Sequence, residues 1–470
     1  FLVDESAVLD SWEWMYNKAA AEGKRLVINM SWGLYHMQSL DGTSLLSQAL
    51  DNYSSQGVVF VTSAGNNGGD DFHIKKDFAS DSLLTRINFY NSSTLSTLWG
   101  QSIHAWGTPG ESFSIGIKVL NTSNALLEES PYYSTATTTN YVDSFLVIGT
   151  DSIFFNLSCD AAYPTNGRPQ ARLRVKRASG AYRIVLKAQA PSGTVHFWNV
   201  TELTSDVGNW GMPFSSLGSG YTAGDESNGI GAPACSYSAI SVAAYAANFY
   251  TSGGTLAGGA RAGFSSVGPL INDTIKPDIS APGIQVGSSM SSYTDAAYTS
   301  IASVNFNGRT YDFARLSGTS MSSPAVAGVV ALILDANPTL TPAQVKSIII
   351  QTAREDNHTG TLPPEGDEFW GHGKINAYHA VQLALGVVGT TEIDQDFDWS
   401  VYPNPASETI SLKGLEDGTV SSILLLDLNG AVVVESNSSV QISIDGLAPG
   451  VYFARVIRNG KVEQQKFLVK

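Results

Sequence analysis

Residues 316 to 334 read Leu316-Ser317-Gly318-Thr319-Ser320-Met321-Ser322-Ser323-Pro324 and run straight on into Ala325-Val326-Ala327-Gly328-Val329-Val330-Ala331-Leu332-Ile333-Leu334. The second half is apolar at nearly every position, so it predicts a helix from Pro324 to Leu334 that is buried rather than amphipathic. The polar first half puts Ser320 at the N-terminus of that helix. Unpaired backbone N–H groups and the positive dipole end gather there, and both favour the negative charge that develops in acyl transfer. Gly318 permits close backbone approach. On these local features alone, a serine before a helix is more often a cap than a nucleophile.

Working outward, Val8, Trp12, Met15 and Ala19 share one helical face between residues 5 and 21, Gly23 is a stop, and Leu26-Val27-Ile28 is a buried strand. The unit repeats. Leu45, Leu46, Ala49, Leu50 and Tyr53 form a second helical face, Gly57 ends it, and Val58-Val59-Phe60-Val61 is the next strand. Helices alternating with continuous apolar strands predict a parallel α/β sheet. From about residue 73 the pattern changes to short alternating stretches, Ser112 to Val119, Ser144 to Ile148 and Arg172 to Val175 among them, which predict an all-β insertion over 73–199. The α/β pattern resumes with strands at Ala239 to Ala244 and near Asp278. Thr341 as N-cap and Pro342 at the first helical position open a further helix to about Thr352, and the domain closes near Ala384. A polar linker around Gly389 to Asp396 precedes short strands between turns at Asn429-Gly430, Pro449-Gly450 and Asn459-Gly460, the pattern of a small β-sandwich over 398–470.

The 470 residues are 43% hydrophobic, enough for a sizeable core and one or two smaller domains. The formal net charge of -15 argues against a nucleic-acid or anionic-membrane partner, each of which needs basic patches that are not visible here. Cys159 and Cys235 fall in segments assigned to different domains, so two free thiols are expected. No stretch reads as a membrane helix.

Gly318-Thr319-Ser320-Met321-Ser322-Ser323-Pro324 closely resembles the nucleophile motif of the subtilisin-like serine proteases. Three other segments resemble the same family in the family's order: Val27-Ile28-Asn29-Met30-Ser31-Trp32-Gly33, Thr62-Ser63-Ala64-Gly65-Asn66, and Lys276-Pro277-Asp278-Ile279-Ser280-Ala281-Pro282-Gly283. Gly371-His372-Gly373-Lys374-Ile375-Asn376-Ala377 resembles the segment that closes that domain. The resemblance implies an α/β fold, a subtilisin-like parallel sheet with helices on both faces. It covers 1–72 and 200–388, is interrupted by the all-β insertion, and is followed by the C-terminal β-sandwich.

By that resemblance Ser320 is the nucleophile, and Asn66 supplies the side-chain amide of the oxyanion hole beside the Ser320 backbone N–H. An amide is a neutral donor that can be held rigidly where a carbonyl oxygen becomes an anion. Ser31-Trp32-Gly33 and Ser63-Ala64-Gly65 would pair with an extended substrate and wall the pocket for the residue before the cut, which suggests a broad endopeptidase with an apolar or aromatic preference.

A serine hydroxyl needs a histidine base oriented by an aspartate. In the family both precede the Asn motif, the histidine in a His-Gly-Thr-His-type segment. None of the seven histidines stands in such a segment: His36, His73, His104, His196, His358, His372 and His379 are all misplaced for it. No His or Asp of this chain is therefore assigned to the triad. Asp10 and Asp278 read as structural, both partners are expected before residue 1, and these residues alone are expected to be inactive.

Val401-Tyr402-Pro403-Asn404-Pro405-Ala406-Ser407, Leu425-Leu426-Asp427-Leu428-Asn429-Gly430, Leu447-Ala448-Pro449-Gly450-Val451-Tyr452 and Lys466-Phe467-Leu468-Val469-Lys470 resemble the C-terminal sorting domain of type IX secretion cargo in Bacteroidetes. This implies export to the surface or the medium, with the secretion machinery as a partner. Trp99, Trp106, Phe154, Phe155 and Trp198 of the insertion read as core. No cofactor is expected. Calcium often stabilises the family's fold, yet no compact Asp/Asn ladder marks a site, so the metal stays open. The combined reading is a secreted serine endopeptidase acting on protein or peptide substrates. Its rivals are a non-catalytic, surface-displayed binding protein on a decayed protease scaffold, and an esterase using the same serine.

Overall fold

The computed structural model describes residues 5–35, 39–91, 97–176, 180–204, 207–247, 249–250, 256–294, 297–386, 399–415, 420, 422–427, 431–436, 440–458 and 461–470. The chain divides into two compact units, Phe1–Val388 and Gly389–Lys470. The linker expected at 389–396 and the turns at 429–430 and 459–460 lie outside the described residues.

In the first unit, helix α1 (Glu5–Ala21) leads to strand β1 (Val27–Met30), and helix α2 (Leu45–Ser55) to strand β2 (Val59–Ser63). Ser44 caps α2 by accepting the Ser47 N–H at 2.9 Å. Four parallel strands hydrogen-bond in the order β1, β2, Ile240–Ala246, Ile279–Ile284. Alternation across the sheet sorts the core. Ile28 and Phe60 point to one side, where Phe60 meets Trp12 of α1 edge-on at 4.9 Å. Val59, Val61, Val242 and Ile279 point to the other, against helices α3 (Thr319–Ala336), α4 (Pro342–Gln351) and α5 (Ala377–Ala384). Thr341 and Gln344 form a capping box at the start of α4.

Helix α3 crosses all four parallel strands. Val326, Val330 and Ile333 are fully buried against them. By length and composition alone it is long and apolar enough to cross a membrane, as core helices of soluble proteins also can be. The expectation that it is buried all round needs correction, because Pro324, Ala325, Gly328, Ala331 and Leu332 on its far side are exposed, Leu332 by 53%. The sheet covers one face, and no described residue covers the other. Strand β1, at one end of the sheet, likewise has an open edge among the described residues, whereas the opposite edge strand is bridged through Ser280 to Lys374.

Residues 73–215 form the β insertion, two antiparallel sheets of seven and six strands. Their inward residues alternate along each strand: Ile103, Phe155, Leu173 and Phe197 from one sheet, Leu83, Ile117, Ile184 and Leu186 from the other. Strands Val207–Gly211 and Phe214–Ser215 hydrogen-bond into these sheets, so the β structure runs past the expected limit at residue 199. Gly208, Gly211 and Pro213 interrupt the alternation that would have betrayed them. A further three-stranded antiparallel sheet, Val286–Ser289, Ser300–Phe306 and Arg309–Leu316, rises between Gly283 and Ser317, and the sequence reading did not foresee it. Residues 300–306 are exposed on both faces, so they lack the alternation that marks a half-buried strand.

The second unit has two antiparallel sheets, one of Ser400–Tyr402, Thr409–Lys413 and Gln441–Ser443, the other of Ser422–Leu426, Val432–Ser436, Gly450–Arg458 and Lys461–Val469. Ile410, Leu412, Ile423, Leu425, Ala454, Val456 and Phe467 fill the space between them.

Candidate active site

The carboxyl ends of β1 and β2 and the N-terminus of α3 meet at one point, and the backbone there is fixed by sequence. Gly318 has φ +154 and ψ 159, a conformation that side chains disfavour, and its N–H donates to the Gly283 carbonyl at 2.8 Å. The helix then starts at Thr319. Pro324 has no N–H to offer the Ser320 carbonyl four residues earlier. Ser31 Oγ takes that place, donating to Ser320 O at 2.7 Å. Asn29 Nδ2 donates in turn to Ser31 Oγ at 2.9 Å, and Ser323 Oγ donates to Asn29 Oδ1 at 2.6 Å. The Ser320 hydroxyl, half-buried, donates to the Ser31 carbonyl at 3.3 Å. A chain of hydroxyls and one amide thus ties the start of α3 to the end of β1.

Asn66 is exposed but not free to turn. Its Oδ1 accepts both the Thr319 N–H and the Thr319 hydroxyl at 2.9 Å, and that hydroxyl accepts the Gly65 N–H at 3.2 Å. With the oxygen engaged, the amide NH2 is the end left over, beside Gly318. Gly65 holds this loop close to its neighbours. At φ +118, any Cβ there would collide with the Tyr35 hydroxyl and sit 2.6 Å from Ser266 Oγ.

All eight residues singled out from the sequence, Ser31, Trp32, Gly33, Ser63, Ala64, Gly65, Asn66 and Ser320, line one cavity of about 100 Å³. Five more complete it: Tyr35, Asn67, Trp210, Gly231 and Thr319. Tyr35 is buried, which pushes its hydroxyl up to about 12, and it pairs with Ser266 Oγ at 3.1 Å. It stays a neutral hydrogen-bonding group at any working pH. Asn67 receives the Gly211 N–H on Oδ1 at 3.1 Å, fastening a strand of the insertion to the loop that carries Asn66. Thr319 had a readable signal, since it stands inside the nucleophile motif. The other four carry no local mark of a pocket.

No histidine or carboxylate is among the lining residues. His73 is buried inside the junction of the insertion, where its Nδ1–H donates to Asp225 Oδ1 at 2.9 Å and its Nε2 accepts from His196 Nδ1 at 2.9 Å. Burial holds His73 below the ordinary histidine range and His196 down to about 2, so both are neutral. His372 Nδ1 contacts the Asp278 carbonyl and His379 the Asn376 amide, and His36 lies outside the described residues. Asp278 is buried between Lys276 at 2.6 Å and Lys346 at 2.8 Å; burial opposes its charge, but the two ammonium groups outweigh that and hold the carboxyl below its usual value. Asp10 is exposed on α1. Among the described residues no group of three or more His, Cys, Asp or Glu is placed to hold a metal ion, and Cys159 and Cys235 are unpaired thiols.

The family model described as the Subtilase family, Peptidase_S8, matches residues 4–104 and 208–373, more than half of the chain. The chain belongs to the subtilase family. Residues 400–470 match the secretion system C-terminal sorting domain, which marks this subtilase as a secreted or cell-surface protein. Serine protease AprX of Bacillus subtilis is 39% identical over 124 residues, 26% of this chain and 25% of that protein. Subtilisin-like protease SBT4.8 of Arabidopsis thaliana is 30% identical over 212 residues, 42% of this chain and 29% of that protein. The chain thus spans less than a third of the length of either relative. The solved CspB protease of Clostridium perfringens superposes with a TM-score of 0.58 at 19% identity, covering 82% of this chain and 72% of that one, a likeness in fold.

Proposed function

We propose that this subtilase hydrolyses peptide bonds through an acyl-enzyme on Ser320. The Ser320 hydroxyl attacks the scissile carbonyl carbon and loses its proton to a histidine base. The resulting oxyanion is held by the Asn66 amide and the Ser320 N–H, the leaving amine departs with the proton, and water then releases the acyl group by the reverse steps. The observation that carries this reading is the doubly anchored Asn66 oxygen, which leaves a rigid N–H donor at the rim of the cavity that Ser320 borders. Such a donor is of most use to a charge that exists only in the transition state.

The histidine and its aspartate belong, in this reading, to sequence before residue 1. What supports this is the bare side of α3. A surface of Pro324, Ala325, Gly328, Ala331 and Leu332, beginning one turn past Ser320, costs free energy in water, and it and the open edge of β1 are the kind of surface that further chain covers. Substrates are proteins or extended peptides, and residues 400–470 engage the secretion machinery.

The test uses the full-length protein. A fluorophosphonate should label Ser320, and Ser320→Ala should abolish casein cleavage. A Ser320→Ala variant that digests casein like the parent removes the proposal.

A further inference from the structure

The cavity beside Ser320 has one wall that belongs to the insertion rather than to the parallel sheet. Trp210, on strand Val207–Gly211, lines it together with Trp32, Ala64 and Asn66. Its indole is 44% exposed, although an unsupported ring of that size on a strand normally finds more cover.

The ring is held in place. It stacks on Tyr90 with centroids 5.7 Å apart and planes 18° from parallel. The Tyr90 N–H donates to Gln101 Oε1 at 3.0 Å, and the buried Gln101 donates to Asn199 Oδ1 at 2.8 Å. Asn199 Nδ2 reaches the carbonyls of Asn88 and Pro213 at 3.1 and 3.3 Å, locking both segments that flank the aromatic pair. On the other side, the Trp210 carbonyl accepts from Thr201 Oγ1 at 3.0 Å, and a side chain at Gly208 would press on the indole at 3.1 Å. The adjacent Gly211 N–H is tied to Asn67, next in sequence to the oxyanion donor.

We infer that Trp210, backed by Tyr90, is a specificity-determining residue, an aromatic wall supplied by the insertion that selects flat, uncharged side chains at the position before the cut. The inference rests on the reading of Ser320 as nucleophile. A volume of about 100 Å³ takes one side chain, not a larger ligand. None of the lining residues is charged, so a lysine or glutamate side chain entering there would lose water without meeting an opposite charge. A phenyl or phenol ring would bury apolar area against the indole and gain an aromatic contact with it. The insertion thereby has a second role besides its own folding. It brings a ring distant in sequence onto the substrate path and pins it to the loop of Asn66.

The experiment uses full-length protein and three peptides that differ only before the scissile bond, with Phe, Ala or Lys. The parent should prefer Phe. Trp210→Ala should lower the Phe-to-Ala ratio of kcat/KM about tenfold, mainly through KM, while Trp210→Phe retains most of it. Trp210→Leu, which keeps apolar bulk without an aromatic face, should lie between them, and each variant's melting curve shows whether it is folded. An unchanged Phe-to-Ala ratio in folded Trp210→Ala or Trp210→Leu overturns the inference, as does a parent that prefers Lys. Failure of the parent to label with fluorophosphonate removes the underlying protease reading instead, so the two failures are distinguishable.

Discussion

The two sides of Ser320 are built to different degrees. On the side of Asn66, Thr319 N–H and hydroxyl, Gly65 N–H, Ser31 Oγ and the Asn29 amide occupy each other's hydrogen-bonding capacity, and Trp210 closes the pocket. On the side of Pro324 and Leu332 the same helix shows apolar residues to solvent and no described side chain that could take a proton from Ser320. On the proposed mechanism, the difference teaches that substrate binding and charge stabilisation would be local to these residues, whereas activation of the nucleophile would not.

The comparison can be broken in four ways. Ser320→Ala in the full-length protein should have the largest effect, a loss of about 10⁶-fold in kcat, the scale known for removing this serine in subtilisin. A smaller loss would mean that Ser320 is not the nucleophile. Asn66→Ala should cost about 100- to 1000-fold in kcat with little change in KM, again the magnitude found in subtilisin. If KM rises and kcat holds, Asn66 binds ground states and the finished side is misread. Leu332→Lys sharpens the other side. If that face is covered in the full-length protein, its denaturation midpoint should report a loss of more than about 2 kcal/mol, because an ammonium group would be buried without a partner. A surface position would change by less than about 0.5 kcal/mol.

The smallest effect concerns the junction of the insertion. His73 and His196 are held neutral by burial, below the ordinary value near 6.5, in His196 to about 2. Below pH 6.5 the unfolded chain binds protons that the folded chain refuses. The contribution of His196 is therefore complete above that pH and falls as pH drops toward 2, by about 1.4 kcal/mol per pH unit, and His73 acts in the same direction. Melting curves between pH 7 and 5 should show the fall, and His196→Gln should lessen it. A flat profile would show that this junction is not closed as described.

What the sequence disclosed, and what it withheld, follows the same division. Ser320, Asn66 and the strand ends at Ser31–Gly33 and Ser63–Gly65 lie in contiguous motifs that resemble those of a known family, so each could be singled out by that resemblance, although local features alone favoured a cap at Ser320. Trp210 could not. It reaches the pocket through a sheet edge broken by Gly208 and Gly211, and the Asn67 to Gly211 hydrogen bond of the folded chain reveals the connection. The parallel sheet was legible because β2 is buried on both faces, while the strands at 300–306 and 309–316 were not, being largely exposed. The burial of α3 was misjudged for a related reason. An apolar helix shows that its faces seek cover, but its composition does not say which part of a protein provides it.

The most direct test is a crystal structure of the full-length protein with a peptidyl phosphonate bound. The account predicts a covalent bond from phosphorus to Ser320 Oγ, with the phosphonyl oxygen about 2.7–3.1 Å from Asn66 Nδ2 and from the Ser320 backbone nitrogen. An adduct on another residue, or an oxygen turned away from Asn66, would contradict it.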